Sequence, residues 1–156
     1  MKSKISSRFT FYILFILISF SGNAQDETFT MTQIGANNFL NNPWDLHYGP
    51  EGYLWVTERT NGVIVRVSTE TAEKDELVKI SDVYATGGQD GLLGMALHKE
   101  ILSGEPYVYV SYTYSKSGKR AQKLVRYTYQ NNGTDNSLSS PVTIITNLPA
   151  SNDHNS

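Results

Sequence analysis

The chain has 156 residues, with 13 Lys and Arg against 15 Asp and Glu and no Cys at all. That balance, without a cluster of Lys or Arg, argues against a partner made of nucleic acid or anionic membrane. No disulfide can staple the fold, so its stability must rest on burial.

The N-terminus reads as a signal peptide over residues 1–24. MKSKISSR carries Lys2, Lys4 and Arg8, FTFYILFILISF is an apolar run of twelve, and SGNA supplies small residues ahead of a cut after Ala24. The competing reading is an uncleaved anchor, but the run is shorter than the ~20 residues a span needs. No Cys follows it, which excludes a lipoprotein anchor. Cleavage removes three basic side chains and no acidic one, leaving 10 against 15 and a mature net charge of −5. The expectation is an exported chain, periplasmic or extracellular, with no membrane span after cleavage.

From residue 25 to 156 no segment keeps a helical period, and short apolar or alternating runs recur between Gly, Pro, Asn and Asp. FTMTQI (29–34) comes first, followed by the turn-rich GANNFLNNP. Four strands are then expected in quick succession: WDLHY (44–48), YLWVTE (53–58), VIVRVS (63–68) and LVKIS (77–81). GPEG and RTNG read as hairpin turns in which Gly52 and Gly62 take positive φ. After DVYATGGQD a second set of four follows: GLLGMALH (91–98), YVYVSYTYS (107–115), QKLVRYTYQ (122–130) and SPVTIITNL (140–148).

The two sets share their order. Each has an apolar first strand, an aromatic-rich second, a third with a basic residue inside it (VRV, VRY) and an aliphatic fourth. A four-stranded unit repeating at roughly fifty residues is the mark of a β-propeller blade. The alternative is one eight-stranded sandwich or barrel. The apolar first strands fit the lining of a packed central shaft, and FTMTQI fits an outer strand that closes a ring. Two blades are fewer than a propeller needs, so the segment reads as the front of a longer propeller.

In a propeller the connector between blades lies on the face around the central channel. TGGQDGLLG places Gln89 and Asp90 there, and PASNDHNS places Asp153 and His154 there, which puts Gln89 and His154 on one rim. The plainer reading is two solvated loops. A carboxylate beside an imidazole can fix its tautomer and raise its basicity, giving a base usable near neutral pH. Neighbouring residues often point apart, so the dipeptide alone does not settle the matter. His47 and His98 share no HxH or HxxxH spacing and read as structural, with no metal ligand assigned. The Tyr-rich YVYVSYTY reads as core, and Asn132-Gly133-Thr134 fits a glycosylation sequon inside an NNG turn. There is no phosphate loop, nucleophile elbow or zinc signature.

NNPWDLHYGPEGYLWVTERTNGVIVRV, GGQDGLLGMALH, PYVYVSYTY, QKLVRYTY and LPASNDHNS resemble, in order and spacing, the N-terminal part of the soluble quinoprotein glucose dehydrogenases and related aldose (glucose/sorbosone) dehydrogenases. The resemblance runs from about Asn41 to the last residue, and GQDGLLG and the terminal DH are its most specific pieces. It implies an exported six-bladed propeller that uses pyrroloquinoline quinone (PQQ) and calcium, is often homodimeric, and oxidises an aldose at C1 to the lactone. It also implies His154 as general base, Asp153 as its paired carboxylate and Gln89 as a contact to cofactor and substrate. Basic cofactor contacts, calcium ligands and the electron acceptor are not assigned on these residues. Residues 25–156 by themselves are expected to be inactive and marginally folded, because two stacked blades leave one apolar face open. Two other readings stay open at this point: a non-catalytic exported propeller that binds or scaffolds, and a short chain that builds its ring from several copies.

Overall fold

A computed structural model describes residues 28–133 and 135–153 of the chain. All eight described strands lie in the compact unit of residues 33–156. β1 (Pro43–Tyr48), β2 (Tyr53–Glu58), β3 (Val63–Ser68) and β4 (Lys74–Lys79) form one antiparallel sheet in that order. β5 (Leu92–Leu97), β6 (Tyr107–Lys116), β7 (Lys119–Gln130) and β8 (Ser137–Pro149) form the second. Each sheet is a consecutive up-and-down meander and no strand is exchanged between them. The sheets stack with β1 and β2 against β5, and β4 against β8. First strand over first and last over last is the packing of adjacent propeller blades, not the Greek-key pairing of a sandwich.

Turn chemistry accounts for the hairpins. Gly52 (φ +75°) ends the 3-10 turn Pro50–Gly52 between β1 and β2, and Gly62 (φ +68°) closes the β2–β3 turn, its N–H on the Glu58 carbonyl at 3.1 Å. The β6–β7 turn is tighter than the gap at 116–121 (KSGKRA) left between the expected strands YVYVSYTYS and QKLVRYTYQ. Lys116 pairs with Lys119 across Ser117-Gly118, both at positive φ, which is the twist a two-residue hairpin loop favours. β4 and β8 each begin three residues earlier than expected. They are the outer strands, where charged KDE and a Pro at position 141 are tolerated because one side of the ladder is unpaired.

Alternation along β2 and β3 buries both faces of the first sheet. Trp55 and Ile64 join Leu92, Met95, Val108, Val110 and Val125 in the core between the sheets, while Val56, Val63, Val65 and Val67 pack on the other face with Phe39, Leu40 and Leu54. The Trp55 ring meets Tyr129 of the second sheet edge-on, with centroids 5.0 Å apart. The basic residue inside each third strand has one job in both blades. Arg66 lies over the Tyr53 ring at 4.0 Å and Arg126 over the Tyr107 ring at 4.1 Å, each stacking on the first residue of the neighbouring second strand. Arg66 also bonds Asp75 at 2.9 Å and the Tyr129 hydroxyl at 2.8 Å, which ties blade to blade.

FTMTQI belongs to neither sheet, and Phe29 and Met31 are 90% and 99% exposed; the part expected of it, closing a ring on the last blade, concerns a blade that is neither of these two. In β1, Asp45 points to β5 and accepts the Met95 N–H at 2.7 Å, while Trp44, Leu46 and Tyr48 at the alternate positions are exposed, Trp44 with the Arg59 guanidinium over its ring. The signal segment 1–24 and Thr134 of the sequon lie outside the described residues. Among the described residues no helix is long and apolar enough to cross a membrane.

Candidate functional site

After β4 the chain runs through residues 80–91 to reach β5, and after β8 it runs through Ala150 to Asp153. These two connectors touch. The Gln89 N–H donates to the Asn152 carbonyl at 2.8 Å, and a Cβ placed on Gly88 would lie 2.3 Å from that same oxygen. Glycine at 88 is therefore a requirement of the close approach, since any side chain would push the backbones apart. Asp153 sits in a tight local turn, its N–H on the Ser151 hydroxyl at 3.0 Å and its carbonyl accepting from that hydroxyl. Gln89 is half-buried and Asp153 exposed. His154 lies outside the described residues.

The loop that carries Gln89 is held on every side. Arg59, at the end of β2, donates from Nη1 to the carbonyls of Gly88 and, at 2.9 Å, Asp90. The Asp90 carboxylate is fully enclosed. It accepts the Thr86 N–H at 3.0 and 3.1 Å, the Thr86 hydroxyl at 2.8 Å and the Arg120 Nε at 3.1 Å, and Arg120 Nη2 closes the ring on the Thr86 hydroxyl at 2.8 Å. Thr113 of β6 finishes the frame, its hydroxyl accepting the Gly91 N–H at 2.7 Å and donating to the Tyr84 carbonyl at 2.6 Å. Asp90, read from sequence as a rim residue beside Gln89, thus packs inward. The Gln89 side-chain amide by contrast makes no hydrogen bond to a described residue, so its donor and acceptor are both available to a ligand.

Burial pushes the Asp90 carboxyl up, but the Thr86 hydrogen bonds and the Arg120 guanidinium outweigh it and hold the group below the usual Asp value. A depressed folded value means that the carboxylate contributes stability that is complete above the unfolded Asp value of about 4 and is lost as pH falls below it through the folded value. Unfolding midpoints measured from about pH 2 to 6 should therefore drop on the acid side. In Asp90→Asn that part of the acid limb should flatten; identical acid limbs in the two proteins would show that the carboxylate is not linked to folding.

Arg59, Thr86 and Arg120 carry no signal in a single sequence. Arg59 reaches residues 29 and 31 positions away, and Arg120 reaches Asp90 across 30. His47 bonds Asp45 at 3.2 Å and His98 accepts the Glu100 N–H at 3.2 Å, both local structural contacts. Among the described residues no three His, Asp or Glu side chains gather where a metal ion could be held.

The family model for glucose/sorbosone dehydrogenases matches residues 40–156. The chain is similar to quinoprotein glucose dehydrogenase B of Acinetobacter calcoaceticus, at 37% identity over 141 residues that make up 85% of this chain and 28% of that protein. It is also similar to a solved structure of the PQQ-bound form of aldose sugar dehydrogenase from Streptomyces coelicolor, with a TM-score of 0.63 and 32% identity, over 72% of this chain and 32% of that one. The chain thus spans about a third or less of the length of the relatives it matches.

Proposed function

Because the chain belongs to the glucose/sorbosone dehydrogenase family, we propose that it forms the first two blades of an exported PQQ-dependent sugar dehydrogenase that oxidises an aldose at C1 to the lactone. The supporting observation is the contact between the two connectors, in which the Gln89 N–H meets the Asn152 carbonyl one residue before Asp153-His154. Residues 1–24 serve as the export signal and are removed. Some electron acceptor completes the cycle.

In this reading His154 takes the proton from the C1 hydroxyl of the sugar while the C1 hydrogen leaves with its electron pair, so that C1 becomes the carbonyl carbon of the lactone. Asp153 fixes the imidazole tautomer and stabilises the cation that forms. PQQ, when bound, supplies the two-electron acceptor for that hydride. The uncommitted amide of Gln89 fits a contact to the polar edge of the quinone or to a sugar hydroxyl. Calcium, which the family resemblance also implies, finds no ligand set among the described residues, and no step is routed through it.

The complete gene product, supplied with PQQ and Ca²⁺, should reduce an artificial electron acceptor only when an aldose is present, with the lactone as product. Residues 25–156 alone should show no such activity. Failure of the complete product on a panel of aldoses would end the enzymatic reading in favour of a binding propeller, while turnover by residues 25–156 would overturn the need for further blades.

A further inference from the structure

Arg59 has an unusual set of partners. Its N–H donates to the Asn42 carbonyl at 3.0 Å, just ahead of β1, and its guanidinium lies over the Trp44 ring at 5.4 Å. Its carbonyl accepts the Leu92 N–H at 2.9 Å, at the start of β5, where a Cβ on Gly91 would come within 2.4 Å of it. Its guanidinium spans Gln89 by binding the carbonyls on either side, Gly88 and Asp90. Gln89 in turn holds the 150–153 connector through its own N–H. One half-buried residue of the first blade therefore bonds to the approaches of both inner strands, and through Gln89 it reaches the approach to the DH pair.

A carbonyl pair gripped by a cation is a stiff arrangement, because charge-assisted bonds are stronger than neutral ones and the two acceptors belong to the 88–89 and 90–91 peptide groups, which flank the peptide that follows Gln89. Turning Gln89 away would break both bonds at once. Arg120 and Thr86 hold Asp90 from the opposite side, but they touch its carboxylate and not the carbonyls of Gly88 and Asp90.

We propose that Arg59 is a positioning residue of the catalytic rim: by clamping the carbonyls of Gly88 and Asp90 it sets the direction of the Gln89 amide and keeps the Gln89 N–H on Asn152. This rests on the reading of Gln89 as a contact to cofactor or substrate. The role differs from that of a stabilising surface arginine in one respect: its loss acts on a single loop and leaves the blade ladder intact.

The test compares the complete gene product with its Arg59→Lys, Arg59→Ala and Gln89→Ala variants, first by amide hydrogen exchange without cofactor and then by titration with PQQ. Both bonds come from one nitrogen, Nη1, at the far end of the planar guanidinium; Lys keeps the charge on a shorter side chain, so Arg59→Lys separates a donor placed at that point from charge alone. In both Arg59 variants the Gln89 amide should exchange about tenfold faster or more, as expected for losing charge-assisted hydrogen bonds, while Trp55 and Val65 in the β2–β3 ladder stay protected. The PQQ concentration for half-saturation should rise by about tenfold in the same variants. Unchanged protection of Gln89 in Arg59→Ala, or an acceleration shared equally by Trp55 and Val65, overturns the proposal. If Gln89 exchange accelerates as expected but neither Arg59→Lys nor Gln89→Ala alters the PQQ titration, the clamp stands and the role assigned to Gln89 falls.

Discussion

Replacing His154 by Asn should lower kcat for aldose oxidation by roughly 10²–10⁴, the usual worth of a positioned general base, while leaving PQQ affinity close to that of the wild type. Asn retains a hydrogen-bonding side chain of similar reach but has no basic lone pair, so the sugar can still be held while the C1 hydroxyl proton has nowhere to go. The pH dependence gives a second reading of the same substitution. A base must be neutral to act, so wild-type kcat/KM should climb with pH through the imidazole pKa, and His154→Asn should lose that rise. Asp153→Asn should do less harm, because it costs the imidazole its orientation and not its lone pair. A His154→Asn enzyme within about threefold of wild type would remove the histidine from the chemistry, since loss of an interaction made only in the transition state must appear in kcat.

What the sequence disclosed, and what it withheld, follows the range of each interaction. β2 and β3 appear with the boundaries read from YLWVTE and VIVRVS, because alternation and a glycine turn are local properties. The blade repeat was legible through VRV and VRY for a physical reason that the structure supplies: both arginines stack on a tyrosine that opens the neighbouring strand. The outer strands were misplaced by a few residues. Their charged and proline-containing starts look like loop until a partner strand satisfies one side of their ladder. FTMTQI joins neither sheet, as alternation describes a surface ready to pair and not the presence of a partner, and the partner expected for it was the last blade of a ring.

The rim shows the same division. Periodicity placed the connectors of Gln89 and Asp153 together, and their backbones do touch. It could not tell that Asp90, one residue along, turns into a closed cage of Thr86 and Arg120. An Asp on a loop reads as solvated; only the partner 30 residues downstream reveals otherwise. Arg59 was hidden similarly, inside a turn whose local chemistry was fully explained by TNG. Nor could composition show that Gly88 has a different use from its neighbour Gly87. Gly87 takes φ +95° with open space around it, whereas Gly88 has no such backbone need and is instead pressed against Asn152.

That difference makes Gly88→Ala the sharpest probe of the connector contact. The new methyl would meet the Asn152 carbonyl oxygen at 2.3 Å, and the carbonyl carbon and Cβ of Asn152 at 3.2 Å, so the two connectors must separate. Restoring ordinary contact needs a shift on the order of 1 Å, and a displacement of that size at a reacting centre costs about 10²-fold in rate. Stability should change by only about 1 kcal/mol, because one loop hydrogen bond is lost and no core residue moves. Gly87→Ala serves as the control, carrying backbone strain in the same loop without a clash. The loss should be specific to the DH pair, and that can be tested by combination. If Gly88→Ala acts by carrying His154 away from the sugar, adding it to His154→Asn should cost little more than His154→Asn alone, since two changes that disable one interaction do not add. Full additivity in that cycle would mean that the Gly88–Asn152 contact serves some other part of the rim, and that His154 holds its place without it.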